Sequence, residues 1–345
     1  MSEKVNIAIL GATGNVGRMF LRILEERNFP INNLKLLHSS EKSAGSKVKL
    51  QGKEYTVELA TKDSFKDIDI VLASAGGTIS KELAPHAVKA GAVVIDNSSA
   101  YRMDKDVPLV VAGVNNDAMK NHKGIIANPN CTTAQLVPAL KVLNDIGTLK
   151  RVIVSTYQSV SGAGKSAIDE LTEQSKNHLA GKDVACNVST PNRRFAFNVV
   201  PHIDVFSDDG YTKEEIKVIN ESRKILNLPN LRITCTAVRV PVYIGHSESI
   251  NVELEKQISR EDIVKAFLDM PLIEVIDDPS NSKYPMPIDF EDKDPVYIGR
   301  IRPDNSNPNT FNMWVVADNL RIGAALNAIR IAEVLVKENL VKIKV

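Results

Sequence analysis

Apolar residues recur along this chain in two alternating rhythms. The run Val5-Asn6-Ile7-Ala8-Ile9-Leu10 is almost continuously apolar, as in a strand buried on both faces, and Met19, Phe20, Ile23 and Leu24 then fall on one side of a helix. Residues 34–37, 70–73 and 93–95 read as further strands, with a helical pattern over residues 80–90. Strand alternating with helix predicts a doubly wound parallel sheet. The run Gly124-Ile125-Ile126-Ala127 then leads into Asn128-Pro129-Asn130-Cys131-Thr132-Thr133. This is a turn that opens a helix over residues 131–146, with Leu136, Leu140 and Leu143 on one face and a bend expected at Pro138.

After this helix the rhythm changes. Residues 151–157 read as a strand, 182–209 as a polar excursion broken by Phe195-Ala196-Phe197-Asn198-Val199-Val200, and 212–226 as a helix. Strands are expected at 233–240, 250–254, 272–276, 296–301 and 313–317, and a last amphipathic helix at 323–338 through Leu326, Ile329, Ile331 and Leu335. A strand-rich half after a strand–helix half predicts two domains in an α/β chain: residues 1–130, rejoined by 319–345, and an α+β domain over 131–318. The 345 residues show no internal repeat, low-complexity tract or flexible linker.

Charge narrows the partners. Lys plus Arg number 43 against 42 for Asp plus Glu, so no overall field attracts nucleic acid or an anionic membrane, and a small molecule is the expected ligand. No apolar run is long enough to span a bilayer, and Met1-Ser2-Glu3-Lys4 enters the first strand without a signal-peptide core, which predicts a cytoplasmic protein. Cys131, Cys186 and Cys235 are too far apart for a disulfide framework or a zinc site. None of His38, His86, His122, His178, His202 and His246 stands at metal-ligand spacing, so no metal is expected.

Two stretches carry chemistry. Gly11-Ala12-Thr13-Gly14-Asn15-Val16-Gly17 follows a strand and opens a helix. Gly11 suits a tight turn, Gly14 the approach of a pyrophosphate and Gly17 close helix packing, which predicts a Rossmann-like dinucleotide-binding domain. After the second strand come Ser39, Ser40, Glu41, Lys42 and Ser43. An NAD site places a carboxylate at the strand end to bind the ribose hydroxyls, whereas serines with a lysine suit a 2′-phosphate and hence NADP, Glu41 being the discordant member. The second stretch puts Cys131 at a helix N-terminus, where the macrodipole favours thiolate and backbone N–H groups can hold an oxyanion. For a lone cysteine a small buried thiol is the better account, which the rest of the chain must overturn. The loop 158–166 ends in Gly164-Lys165-Ser166 but has Ser159 where a nucleotide-triphosphate loop needs glycine. A nucleotide cleft, a helix-capped cysteine and a histidine are the parts that aldehyde oxidation through a thioester requires. His246 stands out among the histidines because it follows a strand in a polar loop, although on that alone a satisfied surface histidine accounts for it better.

Taken together, these motifs resemble those of aspartate-semialdehyde dehydrogenases of the bacterial dimeric type, over essentially the whole chain. The resemblance rests on residues 11–17, on 128–133, on Tyr157-Gln158-Ser159-Val160-Ser161-Gly162-Ala163-Gly164, on Val238-Arg239-Val240-Pro241-Val242 and on His246-Ser247-Glu248-Ser249. It implies Cys131 as nucleophile, His246 as acid/base, Gln158 as a residue orienting substrate, and Arg239 as a bidentate partner of the substrate carboxylate. It further implies Arg102 and Lys217 for phosphate, Glu214 near the substrate amine, and Ser161, Gly162 and Asn319 near the nicotinamide. Thr13, Asn15 and Val16 join the glycines in cofactor binding, as do Ser39, Lys42 and Ser43.

The implied reaction interconverts β-aspartyl phosphate and aspartate 4-semialdehyde with NADP and inorganic phosphate, in a homodimer. It would serve biosynthesis of lysine, threonine, methionine and diaminopimelate. The chain departs from the family pattern at Lys42, where arginine is usual and one residue is inserted, and at Asn192-Arg193-Arg194-Phe195. Related reductases of N-acetylglutamyl phosphate or malonyl-CoA, and NADP-binding regulators without catalysis, are the alternatives; the 238–242 and 246–249 segments argue against the first, and Cys131 against the last.

Because Arg239 and His246 are seven residues apart, one extended strand would hold them about 23 Å apart. A shared substrate therefore requires a bend at Pro241 and Gly245 that folds the loop back.

Overall fold

The computed structural model describes residues 4–50, 52–186 and 193–344; Asn192 and the N-terminal Met1-Ser2-Glu3 lie outside the described residues. The chain divides into Met1–Asn130 with Ala324–Val345, and Cys131–Gly323.

The first unit runs β1 (Val5–Leu10), α1 (Asn15–Glu26), β2 (Ile31–His38), β3 (Lys47–Leu50), β4 (Lys53–Leu59), β5 (Ile70–Ala73), α2 (Gly77–Lys89), β6 (Val93–Asp96) and β7 (Ile125–Ala127). Its sheet has the order β3-β4-β2-β1-β5-β6-β7. Every pairing is parallel except β3 with β4, so the expected all-parallel sheet carries an antiparallel edge. That hairpin was not legible in the sequence because most of its residues stay in solvent and its strands lack an apolar run. β1, β5 and β6 are buried at every position, which explains their continuous apolar sequences. β1 has β2 on one side and β5 on the other, so the strand order reverses at the end of β1, where α/β sheets bind ligands.

The second unit is one continuous stretch. It contains α3 (Cys131–Gly147), β8 (Leu149–Gln158), α4 (Lys165–Leu179), α5 (Lys213–Ile225), β9 (Arg232–Arg239), β10 (His246–Leu254), α6 (Arg260–Leu268), β11 (Ile273–Val275), β12 (Val296–Pro303) and β13 (Thr310–Ala317). α3 runs as one helix through Pro138, and it packs on β8, β10 and β13. The mixed sheet has the order β11-β12-β13-β10-β8-β9. α4 and α6 were not anticipated; α4 is largely polar, with Ala167 and Leu171 buried against Val160, Phe195 and Ala196. α5 opens with a reciprocal cap: Thr212 Oγ1 accepts from the Glu215 N–H, and Glu215 Oε2 accepts from the Thr212 N–H.

The return to the first unit comes at Ala324, later than the expected 319. Residues 318–321 are held in the second unit by Asp318 Oδ2, which accepts from the Asp292 N–H at 2.8 Å, and by Arg321 Nε, which donates to Asp294 at 2.8 Å. α7 (Leu326–Lys337) then packs on β5 and β6. Buried Asn327 ties it down, donating to Val110 O and Asn128 Oδ1 and accepting from the Ala112 N–H. Among the described residues no helix is long and apolar enough to cross a membrane.

Candidate active site

Three adjacent strands end together in the second unit. β9 runs parallel to β8 and pairs Arg239 with Gln158, while β10 runs antiparallel and pairs Ser247 with Tyr157. Gln158, Arg239 and His246 thus gather at one end of the sheet. α3 begins at Cys131, whose Sγ lies 3.3 Å from His246 Nε2.

His246 is the first residue of β10 and not a loop residue, which corrects its expected setting. The bend between residues 239 and 246 exists, but it carries the chain across the end of β8. It is fastened by Val160 N–H to Val242 O at 2.9 Å and Ser161 N–H to Tyr243 O at 3.1 Å. Strand pairing, and not a loop folding back over a cleft, brings arginine and histidine together.

His246 has no exposed surface, and burial first, with the Arg239 charge second, depresses its pKa to about 3, so the ring is neutral at physiological pH. Its Nδ1 accepts from the Ser159 N–H at 3.0 Å. Arg239, also buried, donates through Nη1 to Ser159 O at 2.7 Å. Burial lowers its pKa, and the charges of Glu214 and Cys131 oppose that shift. An added Cβ on Gly162 would lie 3.4 Å from both His246 Nε2 and Arg239 Nη1, so this glycine backs directly onto the pair.

Gln158 is engaged with its own neighbours, accepting from Thr156 Oγ1 at 3.0 Å and donating to Glu214 Oε1 at 3.1 Å. Glu214 and Lys217 share one face of α5, their oxygen and nitrogen 3.2 Å apart. Lys217 is also paired with Asp204 at 2.7 Å, a partner the sequence did not suggest. Burial, the largest single effect, lowers the Lys217 pKa, but the charges of Glu214 and Asp204 and the hydrogen bonds to both together outweigh it and raise the pKa. The side chains of Ser161 and Asn319 are buried and bonded to one another at 3.0 Å.

Two steps further along the same face of β10, Glu248 is fully buried. Burial raises its pKa well above 4.5, which favours a neutral acid; neither oxygen has a partner at ordinary hydrogen-bond geometry, although the Gln135 amide faces it. Cys235 is buried too, and burial with the neighbouring glutamates pushes its thiol upward.

In the first unit the glycine turn leaves β1 and enters α1. Gly11 has φ +93°, and a Cβ there would sit 2.4 Å from Ser74 O; one on Gly17 would sit 2.2 Å from Gly11 O. A Cβ on Gly14 would meet only Gly11 O, at 3.4 Å, so the outer side of the turn is open. Asn15 and Val16 are the first residues of α1, where backbone N–H groups lack intrahelical acceptors. Thr13 Oγ1 reaches Ser43 Oγ at 3.4 Å, so the turn touches the 39–43 segment, in which Glu41 and Lys42 are exposed. These features fit a dinucleotide. Arg102 is buried, donating to Asn128 O at 2.9 Å and Asn97 O at 2.8 Å. No group of three or more His, Cys, Asp or Glu residues placed to hold a metal ion occurs among the described residues.

Sequence reasoning missed Ser159, Asp204 and Gly323. Ser159 stands inside the 157–164 motif, but nothing local gives it a role of its own, and Asp204 lies in a stretch without periodicity. Gly323 had no signal, since its significance is a close approach to Cys131.

A dinucleotide-type unit joined to a unit with a cysteine–histidine pair defines an oxidoreductase of the semialdehyde dehydrogenase class. Two family models match it: "Semialdehyde dehydrogenase, NAD binding domain" over residues 6–122 and "Semialdehyde dehydrogenase, dimerisation domain" over 140–322. The chain belongs to the aspartate-semialdehyde dehydrogenase family. It is 55% identical over 338 residues to the enzyme of that name from Aquifex aeolicus, covering 97% of this chain and 99% of that one. It is 47% identical over 347 residues to the Bacillus subtilis enzyme, covering 99% and 100%. A crystal structure described as aspartate semialdehyde dehydrogenase II complexed with ASA, from Vibrio cholerae, superposes with a TM-score of 0.94 at 44% identity, covering 98% of this chain and 99% of that one.

Proposed function

We propose that this aspartate-semialdehyde dehydrogenase works through a thioester on Cys131 and is NADP-dependent and phosphorylating, interconverting β-aspartyl phosphate and aspartate 4-semialdehyde. The observation that carries the reading is the 3.3 Å approach of Cys131 Sγ to the Nε2 of a buried, neutral histidine.

In the oxidative direction Cys131 sulfur adds to the aldehyde carbon, and His246 takes the proton of the resulting hydroxyl. NADP, when bound, would accept hydride in this direction and supply it in the reverse, biosynthetic one. A phosphate oxygen then attacks the thioester carbonyl, the C–S bond breaks and Cys131 leaves as thiolate. Arg239, fixed by Ser159 O, offers its remaining N–H groups to the substrate carboxylate, and Glu214 is the partner for the amine. Lys217 would exchange Asp204 for phosphate, with Arg102 as the second phosphate residue. Gly11, Thr13, Gly14, Asn15 and Val16 would hold the pyrophosphate, Ser39, Lys42 and Ser43 the 2′-phosphate, and Ser161, Gly162 and Asn319 the nicotinamide end.

A homodimer through the second unit is part of the same reading. It is supported by the description of the matching family model and by a sheet face on which Tyr157 and Trp314 lie partly exposed against one another.

The test is NADPH formation from aspartate semialdehyde, NADP and phosphate, with arsenate as a substitute for phosphate and an acyl-enzyme mass sought on Cys131 when phosphate is withheld. Turnover without any dependence on phosphate or arsenate would remove the phosphorylating reaction.

A further inference from the structure

Ser159 meets the catalytic pair through three different atoms. Its N–H donates to His246 Nδ1 at 3.0 Å, its carbonyl oxygen accepts from Arg239 at 2.7 Å, and its hydroxyl lies 3.1 Å from the same His246 Nδ1. The hydroxyl also donates to Asn319 Oδ1 at 3.1 Å and lies 3.0 Å from Ser161 Oγ. Asn319 Oδ1 is fixed in turn by the Gly245 N–H at 2.9 Å. Neither Ser159 nor His246 has exposed surface, so bulk water does not replace these partners.

The two contacts at Nδ1 suit different forms of the ring. A backbone N–H only donates, so it is satisfied when Nδ1 carries a lone pair and the ring proton sits on Nε2, facing Cys131. In that form Nε2 already holds a proton and cannot accept another. For Nε2 to act as a base, the ring must carry its proton on Nδ1, and the acceptor then within reach is Ser159 Oγ.

We propose that Ser159 is the positioning residue that lets His246 change protonation state without turning: its N–H supports the ring with bare Nδ1, and its hydroxyl accepts the Nδ1 proton in the forms that do acid/base work at Nε2. The inference rests on the thioester chemistry proposed above. With Nδ1–H donated to Ser159 Oγ, the Cys131 S–H bond breaks and an Nε2–H bond forms, leaving thiolate and imidazolium. When imidazolium later returns the Nε2 proton to an alkoxide, the ring is again neutral with Nδ1–H on Ser159 Oγ. Within this cycle the serine keeps its own proton directed to Asn319 Oδ1; the resting ring enters it by exchange with water, which takes the proton from Nε2 and supplies one to Nδ1, and the Ser159 N–H gives up its contact in that form. The titratable and charged groups around the ring are Cys131 from α3, Arg239 from β9 with Glu214 from α5 beyond it, and Glu248, a neutral acid, along β10. A thiolate 3.3 Å from the imidazolium offsets the cost of burial and of Arg239, because the pair has no net charge.

Ser159→Ala tests this, since it removes the hydroxyl and leaves the backbone contacts to His246 and Arg239. We expect kcat to fall by about 10–100-fold, a part of the usual general acid–base contribution, with the KM for semialdehyde changed less than about twofold. The rate of Cys131 alkylation by iodoacetamide at neutral pH should fall in step, and Ser159→Thr should restore both. ¹⁵N NMR of His246 in the native protein gives an independent measurement, with the neutral resting ring expected to be protonated on Nε2. Native kcat and alkylation in Ser159→Ala, a parallel rise in KM, or a resting ring protonated on Nδ1 would each overturn the proposal. Failure of the thioester reading itself shows separately, as turnover in Cys131→Ser or absence of the acyl-enzyme mass in the native protein.

Discussion

Gly323 lies against Cys131 so closely that an added Cβ would stand 2.7 Å from Cys131 Cβ and 2.9 Å from its Cα. The glycine belongs to the π-helical turn Arg321–Ala325, and the cysteine is the first residue of α3. No side chain fits there unless the start of α3 moves. Gly323→Ala should therefore displace Sγ from His246 and lower kcat by about 10²-fold, as misplacement of a reacting group by about 1 Å does, while NADP affinity stays close to native. Steady-state kinetics with fluorescence titration of NADPH checks this, and native kcat would show that the turn yields without cost.

Cys131→Ser should abolish turnover and leave cofactor binding nearly intact, because a serine hydroxyl is a far poorer nucleophile without a strong adjacent base. Cys235→Ser and Cys186→Ser should be close to silent for chemistry; the first thiol is buried with its ionisation suppressed. Substantial turnover by the Cys131 variant in the coupled NADPH assay would eliminate the thioester.

Lys42→Ala should weaken NADP more than NAD. The exposed lysine stands in the 3₁₀ turn Glu41–Ser43, whose Ser43 contacts Thr13 of the glycine turn. Isothermal titration with both cofactors decides it, and equal losses would leave Lys42 a solvated side chain.

Arg239→Lys should mainly raise the KM for semialdehyde, since a point charge keeps attraction but loses the paired hydrogen bonds. His246→Asn should mainly lower kcat, by about 10²–10⁴-fold. Kinetics of both variants across pH separate recognition from proton transfer, and a His246→Asn enzyme with native kcat would send the proton elsewhere.

Glu248→Gln should be more stable than the native protein at neutral pH, by an amount that grows as pH rises. The folded-state pKa lies above the unfolded value of 4.5, so the unfolded chain releases a proton that the folded one retains, and stability is lost as pH rises through that window. The slope is at most about 1.4 kcal/mol per pH unit. Urea unfolding at a series of pH values measures it, and a pH-independent difference would mean the carboxyl is ionised in place.

The strands that could be read directly were those buried on both faces, β1, β5 and β6, because burial on two sides leaves no polar positions to confuse the pattern. The β3–β4 hairpin escaped because most of its side chains remain in solvent, and α4 because two of its four buried residues are the polar Glu170 and Gln174, which mask the helical spacing. Cys131 was legible through the turn that precedes it and the helix that follows. His246 was recognised by resemblance, but its place on β10 depended on pairing with β8, a long-range relation that local pattern does not encode. The roles of Ser159 and Gly323 were hidden for a further reason: the partners of the one, His246, Arg239 and Asn319, lie 80 or more residues away, and the other matters through the lack of a side chain.

The unit built from both ends of the chain also sets an order for synthesis. The Cys131–Gly323 stretch is contiguous, so the ribosome delivers all of it before the nucleotide unit has its last helix. Lys344, whose N–H reaches Asp69 Oδ1 at 2.8 Å, is made later still. Until then the sides of β5 and β6 that α7 covers stay bare, and a premature stop codon anywhere in α7 damages the opening glycine turn's own domain, more than three hundred codons upstream.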